Sequence, residues 1–428
     1  MNHNLFIMQG APGCGKSTFI HEHGLHDLVI SPDELRAVIN PRPLVYDEDT
    51  GHMERTVDFT PRTSSLAFGM ADEIMAERMR RGCDVILDLT AASRKTISKL
   101  LQTADDFNYR IHYVNMQTGL TLDEVMERNR SRGLRAVPDD VVAKMHGRVE
   151  SFEYHDGEHA ITPEDMLAMR FSHVLNADRY AGIRVIGDVQ GAWKRFHASG
   201  FDESVARDAD ILHVITGDIN DRGDGADRMF DWIVNNIDRD NLIVIRGNHD
   251  NYWRYYGNSR MSGYAGGHAT KDSINDIHAR SGLVGGDWKT MRRIARRTER
   301  KFTDFQAMRF HDVMYVFTHG GLEPKMLHDA YNADMDAFDV GFMASEEFQY
   351  GSGETVGTGD YRIDIDRIIE DYDDDNIIQI HGHRNEHRHK PDAFSHAYNL
   401  EQRVEYPDGA LGLLDINANN AITAKLIA

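Results

Sequence analysis

The chain has 428 residues, 41% of them hydrophobic and 27% charged, with a formal net charge of −21, values that suit a soluble α/β-type globular protein of two domains and exclude a disordered chain or a membrane protein. Its acidity argues against indiscriminate adhesion to polyanions, so any nucleic-acid substrate must be met by local basic surface. Two cysteines, Cys14 and Cys83, exclude a disulfide scaffold and a thiolate zinc site, and with no apolar run of roughly 18 residues and no leader-like N-terminus the expected location is cytoplasmic, without membrane contact.

Short apolar runs at Leu5–Met8, Leu28–Ile30, Val85–Leu89 and Ile111–Val114 alternate with helix-like stretches, the rhythm of a parallel α/β sheet. Directly after the first run, Gly10-Ala-Pro-Gly13-Cys-Gly15-Lys16-Ser17 fits the phosphate-loop pattern between a strand and a helix. Glycines let backbone N–H groups turn toward phosphates, Lys16 reaches the β and γ phosphates, Ser17 holds Mg²⁺, and Thr18 joins the cradle, which implies ATP with Mg²⁺ as cofactor. After the second run comes Ser31-Pro-Asp33-Glu-Leu-Arg36, in which Asp33 can accept a hydroxyl proton and Arg36 can grip a substrate phosphate; an N-cap is the other reading of Asp33. The third run ends at Asp88, a further substrate-binding candidate, and Arg128-Asn-Arg-Ser-Arg132-Gly places three arginines where a helical lid can clamp ATP phosphates.

Together these segments resemble the kinase domain of the phage-type polynucleotide 5′-kinases, over roughly residues 4–150. The resemblance implies that Asp33 is the general base toward a 5′-hydroxyl and that Arg36 binds the substrate phosphate. It also implies that Arg128 and Arg132, followed by Val137-Pro138, form the lid, with Lys16 and Arg132 acting in catalysis.

A second series of runs, Ile183–Ile186, Ile211–Ile215, Leu242–Ile245, Met314–Phe317 and Ile377–Ile380, ends each time in Asp, Asn or His. The join between the series is placed in the polar stretch near 176–182, giving domains 1–178 and 179–428. The strand-end residues are Asp188-Val-Gln190, Asp218 with Arg222, Arg246 before Asn248-His249-Asp250, His319, and His381-Gly-His383. Carboxylate, amide and imidazole donors suit two divalent ions that activate water and hold a phosphate for in-line attack.

This set looks like the calcineurin-like metallophosphoesterases over about residues 183–416, which implies an α/β sandwich. By that resemblance Asp218 bridges two metals, Asp188 and His383 bind the first, and Asn248, His319 and His381 bind the second. His249 assists the leaving oxygen, and Arg222 and Arg246 bind phosphate, although Arg246 can also be read as a strand-end charge. Tyr398-Asn-Leu-Glu-Gln-Arg-Val-Glu is similar to the closing strand segment of bacterial polynucleotide kinase-phosphatases. One position departs from the pattern. The usual first motif is Asp-x-His, and Gln190 stands at the histidine position, so a looser first site with more dependence on added Mn²⁺ is expected.

Between the Asn-His motif and His319, Lys289, Arg292, Arg293, Arg296, Arg297, Arg300 and Lys301 recur at helical spacing. They form either a phosphate-tracking face, with Trp288 and the run Tyr252–Tyr256 stacking bases, or a solvated cap helix, beside a glycine-rich loop at Gly263–Gly267. The expected function is end healing: phosphorylation of 5′-hydroxyl ends of RNA or DNA and removal of 3′-phosphate or 2′,3′-cyclic phosphate, before a separate ligase acts. The alternative is a nucleoside or small-molecule kinase joined to a protein Ser/Thr-type phosphatase.

Overall fold

The first apolar run becomes the centre of a sheet because every residue of it is buried on both faces, the mark of a parallel strand covered by helices on each side. The structure, a computed structural model, describes residues 3–41, 44–47, 51–55, 60–89, 93–133, 136–155, 158–256, 288–341, 343–355, 360–372 and 377–428. The chain divides into two compact units, 2–170 and 171–428, so the residues just before the expected join belong with the second unit.

In the first unit, β1 (Asn4–Gln9), β2 (Val29–Ile30), β5 (Val85–Asp88), β6 (Arg110–Asn115) and β7 (His159–Ile161) form a parallel sheet in the order β2-β5-β1-β6-β7. A small hairpin, β3 (Leu44–Asp47) and β4 (His52–Arg55), lies outside it. Among the described residues the helices of this unit are α1 (Lys16–Glu22), α2 (Pro32–Ile39), α3 (Pro61–Arg80), α4 (Arg94–Asp106), α5 (Leu122–Arg130), α6 (Asp139–Glu150) and α7 (Pro163–Ala168). Local signals fix their starts. Thr121 caps α5 and Glu124 reaches back to the Thr121 N–H at 2.8 Å, while prolines open α2 and α3 at positions whose N–H needs no partner.

The second unit opens with β8 (Phe171–His173) and β9 (Leu175–Asn176), continues through β10 (Gly182–Ile186), β11 (Ile211–Ile215) and β12 (Leu242–Val244), and then β13 (Gln306–Phe310) and β14 (Val313–Phe317). After β15 (Tyr331–Asn332), β16 (Ala337–Asp339), β17 (Glu354–Thr355) and β18 (Asp360–Tyr361) come β19 (Ile377–His381), β20 (Ala397–Asn399), β21 (Leu411–Asn417) and β22 (Ile422–Ile427). Two five-stranded sheets result, β12-β11-β10-β21-β22 and β20-β19-β14-β13-β9. Val185, Leu212, Val214, Phe317, Ile380 and Leu414 pack together in one cluster drawn from both sheets, each such side chain contributing about 1.5–3 kcal/mol by burial. The outer face of the first sheet is covered by a second cluster, including Phe196, Phe230, Trp253 and Phe302.

The helix Trp288–Glu299 sets Met291, Ala295 and Thr298 inward and leaves Lys289, Arg293 and Arg297 exposed, while Arg292 and Arg296 are half-buried, so the basic face is narrower than the spacing predicts. Its expected aromatic companions are largely absent from it. Trp253 is fully buried and stacked on Phe230 at 4.5 Å, and Tyr255 and Tyr256 are also buried, so this run packs the core instead of presenting rings to bases. The side chain of Trp288 and the loop Gly263–Gly267 lie outside the described residues. Among the described residues no helix is long and apolar enough to cross a membrane.

Candidate functional sites

In the first unit the loop after β1 closes against the start of α5. A Cβ at Gly13, where φ is +95°, would lie 2.4 Å from the Val125 carbonyl oxygen, so only glycine allows this approach. Lys16 turns its ammonium back onto the Gly10 carbonyl at 2.7 Å, while Ser17 and Thr18 are exposed at the start of α1. Asp33 and Arg36, one turn apart on α2, form an ion pair, and Arg36 also donates to Ser64 Oγ at 3.3 Å and lies over the Phe68 ring. Asp88 ends β5. Burial raises its pKa first; the Lys16 charge opposes this, Asp33 and Glu34 add to it, and Arg132 opposes it.

The phosphate-loop lysine, the candidate base and a lid arginine therefore bear on one carboxylate. Arg132 is the lid arginine among those charges; Arg128 is exposed on α5. Sequence reasoning missed what shapes the lid. Asn129, fully buried, donates to the Val137 carbonyl at 2.6 Å and accepts from the Val137 N–H at 3.1 Å, which ties the end of α5 to the segment before α6. Arg94 is held by Glu158 at 2.8 Å and by Tyr113.

In the second unit every candidate ligand lies at or just beyond the carboxyl end of a strand: Asp188 and Gln190 after β10, Asp218 after β11, Asn248 after β12, His319 after β14, and His381 and His383 at β19. Open α/β sheets place ligand sites at such ends. Gln190, Asp218 and His383 all hold left-handed backbone, with φ of 51°, 48° and 65°, a conformation that non-glycine residues keep where the surroundings impose it. His319 is fully buried; its Nδ1–H donates to the Thr216 carbonyl at 2.7 Å, leaving Nε2 directed at Asn248 Oδ1 (3.2 Å) and Asp218 Oδ1 (3.3 Å). Donor atoms of Asp218, His319 and His383 lie within 4.8 Å of one another.

Asp188 accepts the His383 backbone N–H at 3.0 Å on Oδ2, and neither its Oδ1 nor Gln190 Oε1 has a hydrogen-bond partner although both are buried. Burial, then Glu401 beside it, then Asp218 hold the Asp188 pKa well above the carboxylate range. Buried, unpaired lone pairs with fixed imidazoles fit divalent metal, which supplies the missing charge and coordination.

Three expectations are corrected by this geometry. His381 is not with the other ligands, because its Nε2 is bound to Asp366 at 2.6 Å and its Nδ1 lies against the Gly382 carbonyl at 3.0 Å. His383 gathers with His319 and Asp218, the residues expected at the second metal position, and not with Asp188 as expected. Arg246 is fully buried and paired with Glu299 at 3.0 Å and Asp304 at 2.6 Å, so it braces the fold and presents nothing to a phosphate.

His249 and Arg222 lie side by side. His249 Nδ1 meets Asp221 at 2.6 Å and Nε2 meets Arg222 at 2.9 Å, while Arg222 also pairs with Glu405 at 2.8 Å. Burial opposes protonation of the ring, yet the Asp218 charge and the Asp221 bond raise its pKa, with Arg222 opposing. The Arg222 N–H needs a lone pair on Nε2, so this contact describes the neutral ring, with Asp221 fixing the proton on Nδ1. Asp250, which sequence reasoning passed over, accepts from the Ile219 and Gly247 N–H groups at 2.9 Å each and locks the two ligand loops together. Its place directly after Asn248-His249 was the available signal.

Comparison with known proteins agrees with this division. Residues 182–408 match the family model for calcineurin-like phosphoesterases, and residues 5–152 match that for an AAA domain. Similar solved structures include a protein serine/threonine phosphatase from Saccharomyces cerevisiae, 14% identical over 61% of this chain and 86% of that one (TM-score 0.39). Another is a cold-active protein-tyrosine phosphatase of a psychrophilic Shewanella species, 17% identical over 60% and 83% (TM-score 0.34). No match was found among curated proteins. The first unit is thus a P-loop domain of kinase-like type with a parallel sheet, and, with more than half of its length matched, the chain belongs to the calcineurin-like phosphoesterases.

Proposed function

We propose that the chain heals the ends of broken nucleic acid strands, phosphorylating 5′-hydroxyl ends in its first unit and removing 3′-phosphate or 2′,3′-cyclic phosphate in its second. The observation that carries this reading is the strand order: the phosphate loop follows β1 and Asp33 follows β2, the two parallel neighbours of β5, which ends at Asp88, and the charges of Lys16, Asp33 and Arg132 all bear on Asp88. Lys16 would exchange the Gly10 carbonyl for the phosphates of ATP, held with Mg²⁺ at Ser17. Asp33 would remove the proton of the 5′-hydroxyl as that oxygen bonds to the γ-phosphorus and the bond to the bridging oxygen breaks, releasing ADP; Arg36 would exchange Asp33 for the substrate phosphate, and Arg132 would stabilise charge on the transferring group.

In the second unit two divalent ions, Mn²⁺ being the best fit, would polarise the attacking water and neutralise phosphate charge. Asp188, Gln190, Asp218, Asn248, His319 and His383 would hold them. Arg222 would grip a phosphate oxygen and so leave Nε2 of His249 free to take up a proton from solvent; the imidazolium, oriented by Asp221, then gives that proton to the leaving oxygen and returns to the neutral ring. The products are those a separate ligase consumes, and a cytoplasmic location goes with that role.

One observation favours the alternative. Burial of Trp253, Tyr255 and Tyr256 removes a stacking platform that a polynucleotide enzyme would use, leaving a nucleoside kinase joined to a protein phosphatase as the second reading. To separate them, a short RNA bearing a 5′-hydroxyl and a 2′,3′-cyclic phosphate is incubated with the protein, ATP, Mg²⁺ and Mn²⁺, and both termini are read by mass. Gain of a 5′-phosphate with loss of the cyclic phosphate is the expected result. Unchanged ends, with turnover of nucleosides or phosphoproteins instead, would replace the proposal by the second reading.

A further inference from the structure

The basic helix Trp288–Glu299 has no part in the chemistry described so far. Its exposed cations are Lys289, Arg293 and Arg297, and Arg300 continues the series one residue beyond the helix end, where its N–H still bonds to the Arg296 carbonyl at 3.2 Å. At 3.6 residues per turn these four positions fall within an arc of about 80°, and at about 1.5 Å per residue they make one row about 16 Å long. Met291 and Ala295 are buried on the other side of the helix. Among the described residues neither Arg293 nor Arg297 pairs with a carboxylate, whereas Lys301, next along the chain, is neutralised by Asp238. In a chain of formal net charge −21, an uncompensated row of cations is where a polyanion can settle.

The row is fixed to the phosphoesterase site. Arg246, two residues before Asn248, pairs with Glu299 at 3.0 Å, donates from its guanidinium to the Phe302 carbonyl at 3.2 Å and donates its backbone N–H to the Thr303 carbonyl at 2.8 Å. Along the helix, Met291 and Ala295 pack in one cluster with Trp253 and Phe302, and Trp253 belongs to the short helix Asn251–Tyr255, which begins two residues after His249. The buried arginine that presents nothing to a phosphate thus holds in place cations that can.

We propose that this row carries the single strand whose 3′ end lies in the phosphoesterase site, and holds it by its backbone phosphates alone. Neighbouring cations about 5–6 Å apart along the helix axis can meet successive phosphates of one extended strand. The rings that could have stacked on bases are in the core, since Trp253, Tyr255 and Tyr256 are buried, so the hold is indifferent to sequence and weakens steeply with salt. This inference rests on the end-healing reading and adds to it the means by which the second unit tells a strand end from a free nucleotide.

The test measures kcat/KM of the full-length protein, supplied with Mn²⁺, on uridine 3′-monophosphate and on a 3′-phosphorylated oligouridylate of about eight nucleotides, over a series of salt concentrations. The oligomer is expected to be the better substrate at low salt by about tenfold, and its advantage to fall with a log–log slope of about −3, at roughly 0.7 per phosphate neutralised on a single strand. Arg293→Gln with Arg297→Gln should reduce that slope by about 1.4 and remove most of the advantage. Turnover of the monophosphate, too short to reach the helix, should match the wild type and shows that the variant is folded. Equal kcat/KM for the two substrates in the wild type would overturn the proposal and leave end healing standing, as would a length advantage that the double variant keeps. Salt-sensitive turnover of an acidic phosphopeptide, lost in the double variant while the oligomer is unaffected, would overturn it in favour of a protein partner. Absence of turnover on every 3′-phosphorylated nucleotide and RNA would instead remove the end-healing reading, and the proposal with it.

Discussion

The two candidate sites differ in what their polar groups do at rest. In the first unit they satisfy one another: Lys16 bonds to the Gly10 carbonyl and Arg36 pairs with Asp33. In the second they are buried and short of partners, with lone pairs of Asp188 and Gln190 unused. The first site must exchange internal partners for a nucleotide and an acceptor. The second is held in an electrostatically unfavourable arrangement, on left-handed backbone, that a cation relieves. Induced assembly suits a unit that must open to two substrates, and pre-organisation suits one whose chemistry depends on fixed ions.

The comparison breaks if the sites are not independent, and the largest effects test that. Lys16→Ala is expected to lower kinase turnover about a thousandfold and leave phosphatase turnover unchanged, and Asp218→Asn to do the reverse. Both activities are followed on one doubly blocked RNA. Arg246→Met sharpens the difference between bracing and chemistry. Removing the cation leaves Glu299 and Asp304 buried and uncompensated, so the second unit should lose about 3–5 kcal/mol. Denaturant melts should show that loss in the transition of residues 171–428 alone.

The smallest effect is one the units share. His112 in the first and His213 in the second are buried, and burial lowers each pKa to about 4 from an ordinary 6.5. A base whose folded pKa is depressed contributes its stability fully above pH 6.5 and loses it as the pH falls toward 4. Each should cost about 2 kcal/mol over that window, allowing for partial solvation. His213→Gln should flatten the acid dependence of the second unit's melting temperature and leave the first unit's unaltered.

Much of this was legible because the informative residues sit directly after apolar runs. The phosphate loop, Asp33, Asp188, Asp218, Asn248 and His319 could all be placed at strand ends from local pattern alone. What was hidden depends on contacts between distant segments. Arg246 reads as a phosphate ligand until Glu299 and Asp304 are folded onto it, and His381 reads as a metal ligand until Asp366 takes its Nε2. The run Tyr252–Tyr256 illustrates the same limit, since an aromatic cluster has the same composition whether it packs a core or faces solvent. Edge strands such as β22, half of whose residues are exposed and none buried, carry little hydrophobic pattern to read.

The backbone at position 190 also constrains descent. At φ of 51° a β-branched side chain is excluded, whereas histidine, asparagine and glutamine remain accessible. Glutamine and histidine codons differ only in their third base, so an ancestral imidazole could be exchanged for an amide, and regained, without passing through a residue the turn rejects.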